Sequence, residues 1–284
     1  MPDDPLSFES LSAFIRQVVA ESPANRLAHI DGSPIFDAPM LGVADGDDAL
    51  YGLYKRVVGP HHLMPRDVLV TALPQDAPHT PAAARVLCWV LPISAQTKQS
   101  NAAMKSEPSR RWAHTRHYGE VFSNELRSEV ERYAREHGAT AIAPATSPLF
   151  KSMWDCPGGH SSTWSERHTL YAAGLGTFGL CDGFLTPVGK AMRCGSVVTD
   201  VPLPVTTRRH ASHTSACAYL ARGTYGDCMA RCPADAIGPS GHDNRACARY
   251  QNETLLPLRA ANEVPITGCG LCQTAVACDS GFPF

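Results

Sequence analysis

The stretch CAYLARGTYGDCMARCP, residues 217–233, decides how the last quarter of the chain is organised. It ends in Cys228-x-x-x-Cys232-Pro, which is the closing part of a ferredoxin-type cluster motif. Such a motif also places a cysteine three residues before Cys228, and this chain has Tyr225 at that position. The stretch therefore predicts an iron–sulfur site that lacks one expected thiolate.

Charge and hydropathy exclude several classes of protein. The 284 residues carry a net charge of -2 with both signs interspersed, so charge alone predicts no affinity for nucleic acid or an anionic membrane. No apolar run approaches the roughly 20 residues of a membrane span. The first residues, MPDDPLSFES, are acidic where a signal peptide is basic and then apolar. We expect a cytoplasmic protein that makes no membrane contact.

The cysteines are concentrated near the end of the sequence. Seven of the eleven lie between Cys217 and Cys278. The cytoplasm keeps thiols reduced, so metal or redox chemistry is favoured over a disulfide framework. Zinc is the competing interpretation, because Cys269-x-x-Cys272 is also half of a zinc ribbon. The Cys-x-x-x-Cys-Pro element and the number of thiols favour iron–sulfur clusters.

One four-iron cluster has a full set of predicted ligands. In two-cluster ferredoxins the cysteine before proline serves the other cluster, which ties the two halves of the module together. By that rule Cys232 joins three later cysteines around one complete cluster. The predicted ligands of the complete cluster are Cys232, Cys247, Cys269 and Cys272.

The other predicted cluster is atypical. Its remaining thiols are Cys217, Cys228 and Cys278, which leaves it one short. Four outcomes are open: a three-iron cluster, an oxygen ligand from Tyr225 or Asp227 on the fourth iron, recruitment of another residue, or loss of the cluster. A phenolate can ligate iron, although it is a harder ligand than a thiolate.

Residues 1 to about 205 read as an α/β or α+β core. Apolar spacing predicts helices at residues 11–19 and 123–138. Short apolar runs bounded by proline or glycine predict buried strands. After residue 205 strand signals fade, so we divide the chain into a core domain, 1–205, and a cysteine module, 206–284. The predicted strand segments are 67–74, 85–93, 138–144 and 195–203.

GLGTFG, residues 174–179, matches the dinucleotide pattern G-x-G-x-x-G, but its context is wrong. That pattern requires a strand before the glycines. Here a helix is predicted first, opened by a capping box of Thr163 and Glu166 and ended by Gly174. We therefore predict a glycine turn that lets a chain segment or a flat cofactor approach the backbone.

The segment SERHTLYAAGLGTFGLCDGFLTPVGKAMRCGSVVTDVPL, residues 165–203, and GCGLCQTAVACDSGFP, residues 268–283, resemble the epoxyqueuosine reductase and reductive dehalogenase superfamily of cobalamin-dependent iron–sulfur enzymes. The resemblance covers about 112–283. It implies a nitroreductase-like core that holds a corrinoid and a ferredoxin-like two-cluster module that delivers electrons to it. The implied cofactor-binding glycines are Gly174, Gly176, Gly179, Gly189 and Gly195.

Two residues are candidate proton donors. The position where epoxyqueuosine reductases carry a catalytic aspartate holds His160 here. A histidine near its ordinary pKa can donate a proton at neutral pH. Related enzymes use a tyrosine donor, which makes Tyr118 the second candidate. The competing interpretations are a loop histidine and a packed aromatic residue.

The predicted function is a soluble reductase that takes electrons from an external ferredoxin- or flavodoxin-type donor and reduces a small organic substrate. The alternatives are a flavin-dependent iron–sulfur oxidoreductase and a non-catalytic electron carrier. Epoxyqueuosine reductases carry a C-terminal helical-repeat extension that helps to hold tRNA, and this sequence stops six residues after Cys278. We therefore expect tRNA to be an unlikely substrate.

Overall fold

A four-stranded antiparallel sheet forms the centre of the molecule. The computed structural model describes residues 4–73, 81–156, 159–266 and 268–284. The strand order is β1-β2-β8-β3. The strands in chain order are β1 Met40–Asp45, β2 Arg85–Pro92, β3 Ala141–Ile142, β4 Ser152–Cys156, β5 Gly159–Ser162, β6 Thr177–Phe178, β7 Phe184–Leu185, β8 Met192–Thr199, β9 Ile237–Gly238 and β10 Gly241–His242.

Helices cover both faces of this sheet. Short 3-10 or π turns lie at Pro23–Asn25, Pro144–Thr146, Gln251–Leu255, Leu256–Arg259 and Leu271–Gln273. The α-helices are α1 Phe8–Glu21, α2 Leu50–Val57, α3 Pro65–Val70, α4 Ala95–Ala102, α5 Arg110–Glu136, α6 Glu166–Ala172, α7 Ala218–Arg222, α8 Asp227–Ala230 and α9 Asn244–Tyr250.

Strand β2 shows why two helical layers are needed. Its side chains alternate between the faces, and both sets are buried. Leu87, Trp89 and Leu91 pack against α1 and α5 in one core. The alternate residues, Val86, Cys88 and Val90, join the second core, against α2, α3 and α6. A strand that is buried on both faces reads as a continuous apolar run in the sequence.

Several predicted elements are confirmed. The helix predicted at 11–19 is part of α1, which buries Leu11, Ile15 and Val19. The helix predicted at 123–138 is the second half of the longer α5. The segments 85–93, 138–144 and 195–203 contain β2, β3 and β8. Helix α6 precedes the 174–179 glycines, so rejection of the dinucleotide interpretation is confirmed.

Two local predictions are wrong. The run 67–74 is not a strand, since α3 spans Pro65–Val70 and residue 74 lies outside the described residues. Pro65 fits the first turn of a helix, and short apolar runs do not separate helix from strand by periodicity. The capping box before α6 is also absent: Ser165 is the N-cap residue and makes no side-chain cap bond. Glu166 instead accepts hydrogen bonds from Arg127 and Ser196.

The segment after β8 runs back over the core. Thr206 pairs with the edge strand β1, because its N–H donates to the Val43 carbonyl at 2.9 Å and its hydroxyl accepts from the Val43 N–H at 2.9 Å. Further on, the Arg231 guanidinium donates to carbonyls from both parts of the chain, including Met104 at 2.7 Å and Thr274 at 3.1 Å. The predicted core and module are therefore packed together, and their boundary stays a prediction.

Hydropathy gives no sign of a membrane span. Within the described ranges, every helix is too short or too polar to cross a bilayer.

Candidate functional site

Six thiols meet where the cysteine module packs against the core. Cys181, Cys217 and Cys228 are buried in one cluster, and Cys232, Cys272 and Cys278 pack against them. All eleven cysteines of the chain are free thiols. Contact with the thiols of Cys228 and Cys272 lowers the pKa of Cys181 well below its usual range. We call Cys181, Cys217, Cys228 and Cys278 the first group of thiols.

A buried lysine balances the charge of this first group. The Lys190 side chain is 3% exposed, and its Nζ donates to Cys181 Sγ at 3.5 Å. Burial opposes the charged form, but the nearby thiolates, Cys181 foremost and then Cys278, raise the pKa of Lys190 above its ordinary value. An ammonium held away from water needs anionic partners, so this pocket is built for negative charge.

A second group contains Cys232, Cys247 and Cys269. Burial, together with the neighbouring Cys247 and Cys232, raises the pKa of Cys269 to about 11. Sulfur atoms in this group already accept hydrogen bonds: Cys232 Sγ from the Ala236 N–H at 3.3 Å and Cys247 Sγ from Gln251 at 3.4 Å. Hydrogen bonds to sulfur are a usual means by which proteins tune iron–sulfur potentials.

His242 adds a cation to the second group. Its Nδ1 lies 3.0 Å from the Asp182 carboxylate. The hydrogen bond to Asp182, followed by one to Cys247, raises the pKa of His242 to about 10. The imidazolium therefore links the Cys181 turn to a thiol of the second group.

The donors in both groups are soft thiols. Contact with Cys181, followed by burial, raises the pKa of Cys272, and Cys269 adds to this effect. Within the described residues, no three His, Cys, Asp or Glu side chains are arranged to hold a single ion. Soft thiolates are the ligands that iron–sulfur clusters take, and a four-iron cube needs four ligands.

Tyr225 lies at the rim of the first group. Its backbone φ is 57°, and 61% of the side chain is exposed. It borders a small cavity that Cys217, Cys228, Cys278 and Lys190 also line. Its role as a metal ligand stays a prediction, while the buried thiol of Cys181 occupies the interior.

The five glycines predicted to bind a cofactor lie close to other parts of the chain. Each has protein atoms where a Cβ would be placed, so close packing accounts for glycine at these positions. Gly176 and Gly179 share a neighbour, the other three have separate ones, and the cofactor role of all five stays a prediction. Gly174 faces Arg208, Gly176 and Gly179 face Leu185, Gly189 faces Asp279, and Gly195 faces Trp89.

The two candidate proton donors make separate contacts. His160 lies on β5, and its ring is 4.1 Å from the ring of Trp154. Burial and then Arg167 lower the pKa of His160, which reduces its protonated fraction at neutral pH. Tyr118 lies on α5 and stacks on His29 at 5.1 Å. Their catalytic roles stay predictions.

A buried ion pair holds α5, α6 and β8 together. Arg127 Nε donates to Glu166 at 3.1 Å, and its Nη2 donates to the Cys194 carbonyl at 2.7 Å. Glu166 also accepts from the Ser196 hydroxyl at 2.6 Å, and Ser196 accepts from Trp164 Nε1 at 3.0 Å. Burial raises the pKa of Glu166, against the opposing effect of Arg127. The network fixes the start of α6, directly after the hairpin that carries His160.

Arg193 is a candidate contact for a bound molecule. Its Nε is buried, makes no hydrogen bond among the described residues and lies 3.8 Å from the Glu120 carboxylate. Burial, followed by Arg116, lowers the pKa of Arg193, while Glu120 opposes this shift. A corrinoid carries many amide carbonyls, and a guanidinium N–H that makes no hydrogen bond is a suitable donor for such a group.

Sequence reasoning missed Cys181, Lys190 and His242. Cys181 and Lys190 lie in the segment that carries the family resemblance, where the predicted functional residues are glycines. The available signal was a cysteine inside a glycine-rich turn, close to a lysine in a mostly apolar context. His242 carried no signal, because its partners are distant in the sequence.

Comparisons with known proteins identify solved structures with a similar fold. A scan against protein-family models and a search of curated proteins match nothing. Solved structures do match: epoxyqueuosine reductase from Bacillus subtilis, with its catalytic loop swung out of the active site, has 17% identity and a TM-score of 0.53. The chain shares the epoxyqueuosine reductase fold. An epoxyqueuosine reductase bound to a tRNA-Tyr stem loop gives 17% identity and a TM-score of 0.54.

These matches cover nearly all of this chain but only part of each solved structure. In both, 97% of this chain is covered, and the chain spans 66% of the reductase. A solved reductive dehalogenase also matches, at 13% identity and a TM-score of 0.49, with 83% of this chain and 29% of the dehalogenase covered. The likeness to the epoxyqueuosine reductases is therefore one of fold.

The tRNA-bound neighbour bears on the expected substrate. The net charge of -2 favours a substrate other than tRNA. One protein with this fold nevertheless holds a modified tRNA stem loop, which weakens that expectation.

Proposed function

We propose that this chain is an iron–sulfur oxidoreductase that uses low-potential electrons, through two clusters and a bound corrinoid, to reduce a small organic substrate. The observation that carries the proposal is the meeting of two groups of thiols inside a fold shared with epoxyqueuosine reductases. We take the core to be nitroreductase-like and the module to be ferredoxin-like.

The chain's own residues have distinct tasks in this proposal. A corrinoid supplies a strongly reducing cobalt when bound, and the clusters supply one-electron transfer at low potential. The thiols hold the clusters, and Lys190 offsets their negative charge in a buried place. Arg193 offers a donor to the corrinoid. Tyr118 Oη and the His160 imidazole are the proposed proton sources.

Electrons enter from an external ferredoxin- or flavodoxin-type donor. The second group is the more accessible: Cys232, Cys247 and Cys269 are each only partly buried, whereas three of the four thiols of the first group are buried and only Cys278 is partly buried. We infer that the second group faces the donor and that the first group faces the core.

The cofactor inventory of anaerobically purified protein tests the proposal. We expect about eight iron atoms and a similar amount of acid-labile sulfide per chain, because each four-iron cluster carries four of each. Iron, sulfide and zinc are measured on the same sample. A colourless protein with stoichiometric zinc would contradict the iron–sulfur assignment.

Corrinoid binding is tested by reconstitution and gel filtration. We expect cobalamin to be retained with the spectrum of a bound cob(II)alamin. An Arg193→Met variant should retain roughly tenfold less, since loss of a buried charge-assisted hydrogen bond costs about 1.5–3 kcal/mol. Arg132→Met is the matched control, because Arg132 is an exposed arginine on α5. Retention of flavin instead would favour the flavin-dependent alternative, and no retained cofactor would favour the electron carrier.

The substrate class is tested by binding. The same protein is offered a modified tRNA stem loop and a panel of small halogenated and epoxide compounds. Reduction of a free small molecule is the expected result. Selective retention of the stem loop would replace the small molecule by a nucleoside within RNA.

A further inference from the structure

We propose that Cys181 supplies the thiolate missing at Tyr225 and completes the ligand set of the first cluster with Cys217, Cys228 and Cys278. The inference rests on the proposed iron–sulfur function. It adds a ligand that lies in the core, outside the cysteine module. Each cluster then has four thiolates, with Cys232, Cys247, Cys269 and Cys272 around the other.

The position of Cys181 carries the inference. The side chain is 7% exposed and lies in the same buried cluster as Cys217 and Cys228. Cys278 packs against this cluster. The Lys190 N–H donates to the Cys278 carbonyl at 3.1 Å, while the Lys190 ammonium contacts Cys181. One residue therefore holds both sulfur-bearing segments together.

A tight glycine turn presents the Cys181 sulfur. The Gly179 N–H donates to the Gly183 carbonyl at 2.8 Å, and the Asp182 N–H donates to the Gly179 carbonyl at 2.9 Å. A Cβ on Gly183 would lie 3.1 Å from Cys181 Sγ. Glycine at this position leaves the space beside the sulfur free, which a ligand of a bulky cluster requires.

Tyr225 is poorly placed to be that ligand. It borders the cavity with Cys217 and Cys228, but its side chain is 61% exposed, whereas Cys181 is 7% exposed. Ionising a phenol, with an ordinary pKa near 10, is also harder than ionising a thiol. The ferredoxin motif thus lacks a cysteine at Tyr225, and the turn at 179–183 in the core supplies an additional one, Cys181.

The charge of the pocket agrees with four thiolates. Lys190 is buried beside Cys181, and an uncompensated ammonium there would strongly oppose folding. A cluster with four thiolate ligands is an anion. The buried cation favours its bound form, and it also favours the reduced state, which carries one more negative charge.

Cys181→Ala tests the assignment. In wild-type protein we expect about eight iron atoms per chain. In the variant we expect about four to seven, with either a three-iron signal in the oxidised protein or loss of one of the two reduced-cluster signals by electron paramagnetic resonance. The surviving signal of the second cluster reports that the variant is folded.

Two matched variants separate the alternatives. Tyr225→Phe removes the phenol oxygen, and we expect wild-type iron content and spectra. Cys156→Ser removes a thiol on β4, outside both groups, and should also leave them unchanged. The assignment would be overturned if Cys181→Ala kept the wild-type iron content and spectra, or if Tyr225→Phe gave the change expected for Cys181→Ala.

The outcome also distinguishes this inference from the function on which it rests. A wild-type chain that binds no iron would overturn the proposed function, and the ligand assignment with it. A wild-type chain with two clusters that are both insensitive to Cys181→Ala would overturn the assignment alone.

Discussion

Replacing Arg127 by methionine is expected to destabilise the folded protein by about 3–5 kcal/mol at neutral pH. The Arg127 side chain is 5% exposed and its partner Glu166 is 14% exposed. Removing the guanidinium leaves a carboxylate without its cation and the Cys194 carbonyl without its donor. Uncompensated buried charge is among the costliest changes that a single substitution can make. Denaturant unfolding measures the effect.

The loss of stability in Arg127→Met should be larger at high pH than at low pH. Burial already raises the pKa of Glu166 above its ordinary value, and removal of Arg127 raises it further. A raised carboxyl pKa disfavours folding at high pH, because the unfolded chain ionises more readily there. As the pH falls below about 4.3, the ordinary pKa of a glutamate, the carboxyl becomes protonated in both states, so the deficit relative to wild type should shrink.

Two further variants isolate the ion pair. Glu166→Gln added to Arg127→Met removes the buried charge, and most of the stability should return. Arg132→Met on the same helix breaks only exposed ion pairs with Glu129 and Glu136, and should change the unfolding midpoint little. Equal losses in Arg127→Met and Arg132→Met would contradict the network described here.

Gly270→Ala is expected to cost roughly 2–5 kcal/mol, the sum of backbone strain and overpacking. Gly270 has φ 62°, and a Cβ there would overlap the indole ring of Trp112. Trp112 is 4% exposed in the first turn of α5, so the ring has little room to move. The thermal midpoint should fall by roughly 10 °C, given about 2–4 °C per kcal/mol for a chain of this size.

Alanine variants of two other glycines in the module separate the cost of backbone strain from that of overpacking. Gly238→Ala meets no atoms within 4 Å and has no positive φ, so it should be nearly neutral. Gly223→Ala has φ 70° in open space and should show the backbone cost alone. In the Gly270→Ala background, Trp112→Leu should recover part of the loss by making room for the methyl group. Equal losses at Gly270 and Gly223 would show that the ring contact is unimportant.

Sequence reasoning succeeded where the signal was local. The run that became β2 is apolar from Val86 to Pro92 because both faces of the sheet are covered there. Helix α1 shows its buried face in its spacing. The run 67–74 failed because six residues of α3 are too few for the helical period to differ from a strand. Thr163 and Glu166 match the sequence pattern of a capping box, but the Glu166 carboxylate accepts a hydrogen bond from Arg127 instead.

The candidate site was predictable in its chemistry and only partly in its membership. Closely spaced cysteines identified the second group and most of the first. Cys181 lies in the same buried cluster as Cys217, which is more than thirty residues away in the sequence. Their proximity depends on how the glycine turn packs against the cysteine module. Spacing rules describe ligands on one segment, so a ligand contributed by the core lies beyond their reach.

The Thr206 contact with β1 has a practical consequence for dividing this chain. Thr206 occupies the outer hydrogen-bonding side of the strand at Val43. A fragment that ended at residue 205 would uncover this strand edge, and unpaired edges readily recruit strands from other molecules. Such a fragment should self-associate, whereas one that extends through Thr206 and the Arg208–Asp48 ion pair should keep the edge protected.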